Sequence, residues 1–286
     1  MNLLNQTKEL CRLYNIKPAR SKGQNFLIRE EIYDQIIAAA DLQSDDLVLE
    51  VGPGLGFLTA KLAKMAGRVV AVELDDKLAE ILRTGLLAQE AKNVEVINQN
   101  VLDIKIQPPL FSVNQEMGYK IVANLPYNIT SVFLRKFLSE AESKPKLTVL
   151  MLQKEVAQRI CAQAGAMSLL AISAQLYAKP EIIKIVPKED FWPQPEVDSA
   201  IVKITPYAGY LFSKEVGEKD FFRLVKFGFV AKRKMLKNNL AAGFKINQNE
   251  AENKIIKAGF DGKIRAQELS VDDWLKLFVE FRQNML

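Results

Sequence analysis

A chain of 286 residues, 49% of them hydrophobic, is long enough to bury a large core and too apolar for disorder, and its length predicts one large domain with a smaller companion. It holds no histidine and two cysteines, Cys11 and Cys161, which excludes imidazole triads, HExxH zinc sites, disulfide scaffolds and cysteine-built zinc sites, so no metal is expected. The net charge of +5 favours a polyanionic partner, and without an apolar run of the ~18 to 20 residues a membrane span needs, or a signal-peptide centre, the expectation is a cytoplasmic protein that touches no membrane.

Lys8, Arg12, Lys17, Arg20 and Lys22 outnumber the single acid Glu9 at the start of the chain, which opens with a helical segment. A helix pattern over residues 30–40 leads to the apolar run Leu47-Val48-Leu49-Glu50-Val51, which breaks into Gly52-Pro53-Gly54-Leu55-Gly56 and predicts a buried strand feeding a glycine turn. Helix is predicted over 57–65 and 76–87, strand over 68–74 and 94–97, and a loop over 105–118, where Pro108, Pro109, Asn114 and Gly118 fall. Next come a strand over 119–123, a helix over 129–139, a strand over 147–152 and helical stretches through 155–177. Late strands over 182–186 and 200–204 flank the proline-spaced Phe191-Trp192-Pro193-Gln194-Pro195-Glu196-Val197-Asp198-Ser199.

Beyond Pro206 the strand pattern ends. The chain is helical by pattern from about Asp220, and Ser270-Val271-Asp272-Asp273 resembles a capping box opening the last helix. The alternation predicts an α/β fold with a Rossmann-like parallel sheet over residues 1–205 and a smaller, all-helical C-terminal domain over 206–286. A second basic cluster, Arg223, Lys226, Lys232, Arg233, Lys234 and Lys237, lies in the helical part; on pattern alone it is a solvated face or a phosphate-binding one.

A glycine turn after the first parallel strand lets a ligand approach the backbone, beside a helix N-terminus with unpaired N–H groups. Here Gly52-x-Gly54-x-Gly56 is spaced GxGxG, and the sixth position of the dinucleotide fingerprint is Phe57, which shifts the reading from NAD to another adenosine cofactor. Glu73 closes the next strand, where a carboxylate can accept from both hydroxyls of a ribose.

Asn124-Leu125-Pro126-Tyr127 ends the fourth predicted strand, at the sheet edge where ligands of α/β folds bind. An adenine amine is a poor nucleophile because its lone pair is delocalised into the ring. The Asn124 side-chain oxygen and the Leu125 carbonyl could accept its two hydrogens and hold the lone pair toward a methyl donor. Pro126 fixes the turn without an N–H, and Tyr127 offers a flat face to an extruded base. A sulfonium donor is already activated, so alignment can replace a general base.

These segments, with Gly23-Gln24-Asn25-Phe26-Leu27, Glu50 through Thr59, Asn124 through Thr130 and Phe191 through Ser199, resemble the ribosomal RNA adenine dimethyltransferase family. The likeness is greatest to its small-subunit branch, which dimethylates two adjacent adenosines near the 3′ end of 16S rRNA. The resemblance runs from about Lys17 to the C-terminal helices. It implies S-adenosylmethionine as cofactor, bound by Asn25, Leu27, Gly52, Glu73, Asn100 and Asn124 beside Gly54 of the turn, and a target base held by Tyr127 and Phe191. It also implies a 16S rRNA partner within a small ribosomal subunit or its assembly precursor, an RNA-binding C-terminal domain and a monomeric enzyme. One departure stands out. Where the family carries an aspartate that accepts from the cofactor's adenine amine, this chain has Asn100, with Asp103 a second candidate.

Rival readings are a 23S rRNA adenine methyltransferase, a non-catalytic RNA-binding assembly or transcription factor on the same scaffold, and an NAD oxidoreductase. Leu125 and the Phe191 segment argue against the first. The intact Asn124 motif argues against the second, and the glycine spacing with no histidine against the third.

Overall fold

The computed structural model describes residues 2–18, 24–88, 90–105, 118–125, 129–208 and 217–284. The chain divides into two compact units, one of Met1–Ala157 and Lys179–Pro206, the other of Gln158–Ala178 and Tyr207–Leu286.

The first unit is built on a seven-stranded sheet of order β4-β3-β2-β5-β6-β9-β7, from β2 (Leu47–Val51), β3 (Arg68–Glu73), β4 (Val94–Asn98), β5 (Lys120–Asn124), β6 (Leu147–Gln153), β7 (Ala178–Val186) and β9 (Ser199–Pro206). The first five of these run parallel, and β9 joins β6 antiparallel with Leu150 opposite Val202. The apolar runs of the central strands suit burial on both faces: Val48, Leu49, Val69, Val70, Ile121 and Val122 have no exposed surface. Helices α1 (Leu3–Leu13) and α2 (Glu30–Ala40) precede the sheet, and α3 (Phe57–Met65), α4 (Asp76–Ala88) and α5 (Thr130–Leu134) connect its strands, α5 running on as a π-helical turn over Arg135–Glu140. Ile32, Tyr33 and Ile36 of α2 pack with Val122, Val149 and Met151 of the sheet in one apolar cluster.

The predicted strands and helices of this unit lie within a residue or two of those observed, except that β7 begins well before residue 182. Two short elements escape any pattern. Phe26–Leu27 (β1) and Phe191–Trp192 (β8) form an antiparallel ribbon, with Leu27 opposite Phe191. Two residues are too few to show a period.

In the second unit α7 (Leu169–Gln175) shares a core with α8 (Glu218–Phe229), α9 (Leu236–Phe244), α10 (Gln248–Lys257) and α11 (Val271–Phe281); α6 (Lys154–Ile160) precedes it in the chain. Met167, Ile172 and Leu176 bury against the cluster of Phe221, Leu240, Trp274 and Phe281. The expected division at 205/206 therefore differs from the observed one, because Gln158–Ala178 packs with the C-terminal helices. The capping box is present: the Asp273 N–H donates to Ser270 Oγ at 3.2 Å and the Ser270 N–H to Asp273 Oδ2 at 3.1 Å. At the end of α8, Asn239 Nδ2 donates to the Gly228 and Ala231 carbonyls at 2.6 and 3.1 Å, fixing the turn that presents Lys232, Arg233 and Lys234 to solvent. Lys237 of the same basic cluster is paired with Glu252 at 2.8 Å. Among the described residues no helix is long and apolar enough to cross a membrane, and no three of His, Cys, Asp and Glu are grouped to hold a metal ion.

Candidate active site

The site lies at the carboxyl ends of β2, β3, β4 and β5, where a cavity of about 390 Å³ opens. That volume is within the range of small-molecule sites. Gly52 follows β2 with φ +68°, and a Cβ there would stand 3.3 Å from the Asn124 carbonyl oxygen, so backbone conformation and the neighbouring strand both require glycine. Gly56, with φ +85°, lets α3 begin against α4: a Cβ would meet Leu82 Cδ1 at 2.6 Å.

Every residue expected to bind the cofactor lines this cavity: Asn25, Leu27, Gly52, Gly54, Glu73, Asn100 and Asn124. Glu73 is held from both sides, with Oε2 accepting from the Gly54 N–H at 3.1 Å and Oε1 from the Asp75 N–H at 2.9 Å. Burial raises its pKa and these two N–H groups pull it back. The outcome is a fixed carboxylate with lone pairs left over, suited to a diol.

Asn100 caps the 3₁₀ turn Val101–Asp103, its Oδ1 accepting from the Leu102 N–H at 3.0 Å. One lone pair of that amide oxygen stays open to a ligand. Asp103, the alternative acceptor, is exposed and does not line the cavity.

Asn124 is the last residue of β5, half-buried, opposite Met151 of β6, and both border the cavity. Leu125 is 2% exposed and does not line it. Pro126 and Tyr127 lie outside the described residues. Phe191 departs from expectation. It is 3% exposed, packs in the cluster of Leu27, Tyr33 and Val186, and does not border the cavity. A ring so enclosed has no face to offer a base in this conformation, because the β1–β8 ribbon turns it into the core.

The sequence assigned no role to one residue of the site, although it opens the segment Glu50 through Thr59. Glu50 of β2 lines the cavity at 1% exposure, and neither of its carboxyl oxygens has a hydrogen-bond partner. Burial pushes its pKa up to about 8; the adjacent Thr59 hydroxyl eases that penalty, though not at ordinary hydrogen-bond geometry, and the charge of Glu73 adds to it. A signal was nonetheless present, since an acid inside a strand buried on both faces costs free energy that packing does not return. An unsatisfied acid beside a cavity is suited to a cationic ligand.

Known proteins of the same kind agree with this geometry. The family described as ribosomal RNA adenine dimethylase matches residues 16–283. A ribosomal RNA small subunit methyltransferase A from Dehalococcoides mccartyi is 43% identical over 284 residues, covering 99% of this chain and 95% of the relative. The protein of the same name from Clostridioides difficile is 38% identical over 273 residues, covering 94% and 93%. Among solved structures, a dimethyladenosine transferase from Plasmodium falciparum superposes with a TM-score of 0.77 at 27% identity, covering 91% of this chain and 98% of that one. The 23S rRNA methyltransferase ErmE gives 0.73 at 28% identity, covering 91% and 100%. The family match spans nearly the whole length of the chain, which belongs to the ribosomal RNA adenine dimethylase family.

Proposed function

We propose that this enzyme transfers methyl groups to the N6 amines of two adjacent adenosines near the 3′ end of 16S rRNA during small-subunit assembly. The observation that carries the reading is Asn124 at the end of β5, on the rim of a nucleoside-sized cavity that also holds Glu73.

The residues fit S-adenosylmethionine, as the unsatisfied buried carboxyl of Glu50 indicates: a cofactor bearing an ammonium and a sulfonium supplies the positive charge that this acid lacks. When bound, S-adenosylmethionine offers an electrophilic methyl group. Glu73, preorganised by Gly54 and Asp75, accepts from the ribose hydroxyls. Asn100 accepts from the adenine amine through its free lone pair, and Glu50 supplies counter-charge. On the acceptor side, Asn124 Oδ1 and the Leu125 carbonyl accept from the N6 hydrogens, pyramidalise the nitrogen and localise its lone pair toward the methyl donor; for the second transfer one N–H remains to be held. Tyr127 stacks on the extruded base. With no histidine in the chain, alignment provides the rate and the proton passes to water.

The exposed Lys232, Arg233 and Lys234, in the turn that Asn239 fixes, are suited to RNA phosphates. Methylating purified small- and large-subunit RNA side by side, with the modified nucleotide mapped by mass spectrometry, tests the proposal. Dimethyladenosine in the small-subunit RNA alone is expected; modification confined to the large-subunit RNA would replace 16S rRNA with 23S rRNA as substrate.

A further inference from the structure

The turn that carries Asn100 is held from a second direction. Lys136 Nζ donates to the Leu102 carbonyl at 2.5 Å and to the Ile104 carbonyl at 2.6 Å. Lys136 sits in the π-helical turn Arg135–Glu140 that prolongs α5, the helix that follows Asn124 and its motif. Phe133 and Phe137, fully buried with ring centroids 4.5 Å apart, anchor that helix, and Lys136 Nζ lies 5.7 Å from the Phe137 ring.

Half-buried, the ammonium forgoes hydration for two backbone carbonyls. Burial lowers its pKa, and the charges of Asp103 and Glu140 oppose that shift. Such bonds are stronger than those between neutral groups. Leu102 is thereby held twice: its N–H by Asn100 Oδ1 and its carbonyl by Lys136 Nζ. Val101 and Leu102 themselves line the cavity.

We infer that Lys136 is a positioning residue that ties the loop recognising the cofactor's adenine to the helix leading out of the target-base motif, so that this loop keeps the geometry in which Asn100 meets the cofactor. The inference rests on the S-adenosylmethionine reading. Without Lys136 the Leu102 carbonyl is released and Asn100 loses the fixed turn that aims its side chain. A π-helical turn is a fitting carrier, since such turns recur at functional sites.

The test compares the wild-type protein with Lys136→Met and Lys136→Arg, using calorimetric titration with S-adenosylmethionine, RNA binding, melting temperature and hydrogen exchange over residues 101–105. Lys136→Met is expected to weaken cofactor binding tenfold or more and to raise the cofactor KM by a similar factor. Its kcat at saturating cofactor, RNA affinity and melting temperature should stay near wild type, and exchange at 101–105 should quicken. Lys136→Arg, which keeps several N–H donors, should recover most of the affinity. Unchanged cofactor affinity in Lys136→Met, or a loss matched by a general fall in melting temperature and RNA binding, overturns the inference. If the wild-type protein itself does not bind S-adenosylmethionine, the functional reading falls. The exchange rates at 101–105 then still decide whether Lys136 holds the turn.

Discussion

Glu50 offers the sharpest test of the site, because its ionisation must be coupled to ligand charge. In the free protein burial pushes its carboxyl pKa up to about 8. About a tenth of the molecules then carry the carboxylate at pH 7 and about a hundredth at pH 6, since each unit below the pKa costs a factor of ten, or ~1.4 kcal/mol. If a cationic cofactor binds the ionised form, its apparent Kd should fall about ninefold between pH 6 and pH 7, and roughly 0.9 proton should be released at pH 7. An α-amino group, with a pKa of about 7.7 to 8.0, stays largely charged over that window and does not produce the slope. Titration calorimetry in two buffers of different ionisation enthalpy reads both quantities. Glu50→Gln should abolish the slope and the proton release together. The same variant tests the linkage in the free protein. The folded form keeps a proton that the unfolded chain gives up near pH ~4.3, so wild-type stability falls as pH rises from there to about 8. The melting-temperature advantage of Glu50→Gln should therefore grow from pH 5 to pH 8 and level off above. A Kd equal at pH 6 and pH 7 without proton release would refute the counter-charge role.

Three further outcomes are expected. Asn100→Asp keeps the cap on Leu102, since aspartate caps as well as asparagine, and should tighten S-adenosylmethionine binding by about 1 kcal/mol through an ionised acceptor; weaker binding by calorimetry would mean that the site is adapted to the amide. Asn124→Ala should cut turnover about 100-fold or more while RNA affinity barely moves, the behaviour of a preorganised partner removed from the transition state, and an effect confined to cofactor binding would remove it from the amine. Changing Arg233 and Lys234 to alanine should weaken RNA binding and lower the logarithmic salt slope by about 0.7 to 0.9 for each phosphate no longer neutralised, with cofactor affinity intact; an unaltered slope returns both residues to a solvated face.

Elements with a sustained period were legible in the sequence. The run Leu47–Val51, the amphipathic α3 and α4 and the valine-rich β3 stand where the pattern predicts, because burial on two faces and burial on one stripe leave different signatures. Strand order left no such trace: nothing local in Ser199–Pro206 says that it pairs antiparallel with β6 and separates it from β7. For the same reason the packing of Gln158–Ala178 with helices that begin only at Glu218 was beyond reach. The residues that meet at the cavity were legible because glycine, a strand-end acid and an asparagine at strand ends carry their chemistry in their identity. Phe191 is ambiguous in the sequence because an aromatic side chain suits both a stacking face and a core, and its burial here follows from the β1–β8 pairing with Leu27.

The discontinuous make-up of the helical unit bears on how this protein is made and how it can be cut. During synthesis Met167, Ile172 and Leu176 leave the exit tunnel well before Phe221, Trp274 and Phe281, the side chains that will cover them, exist. Until then they form a sticky surface on the nascent chain, where association with other chains competes with folding. A stop after Pro206 would make that surface permanent, since the fragment keeps Gln158–Ala178 and loses its core. A sheet unit free of that surface would require both segments to go, with a linker from Ala157 to Lys179.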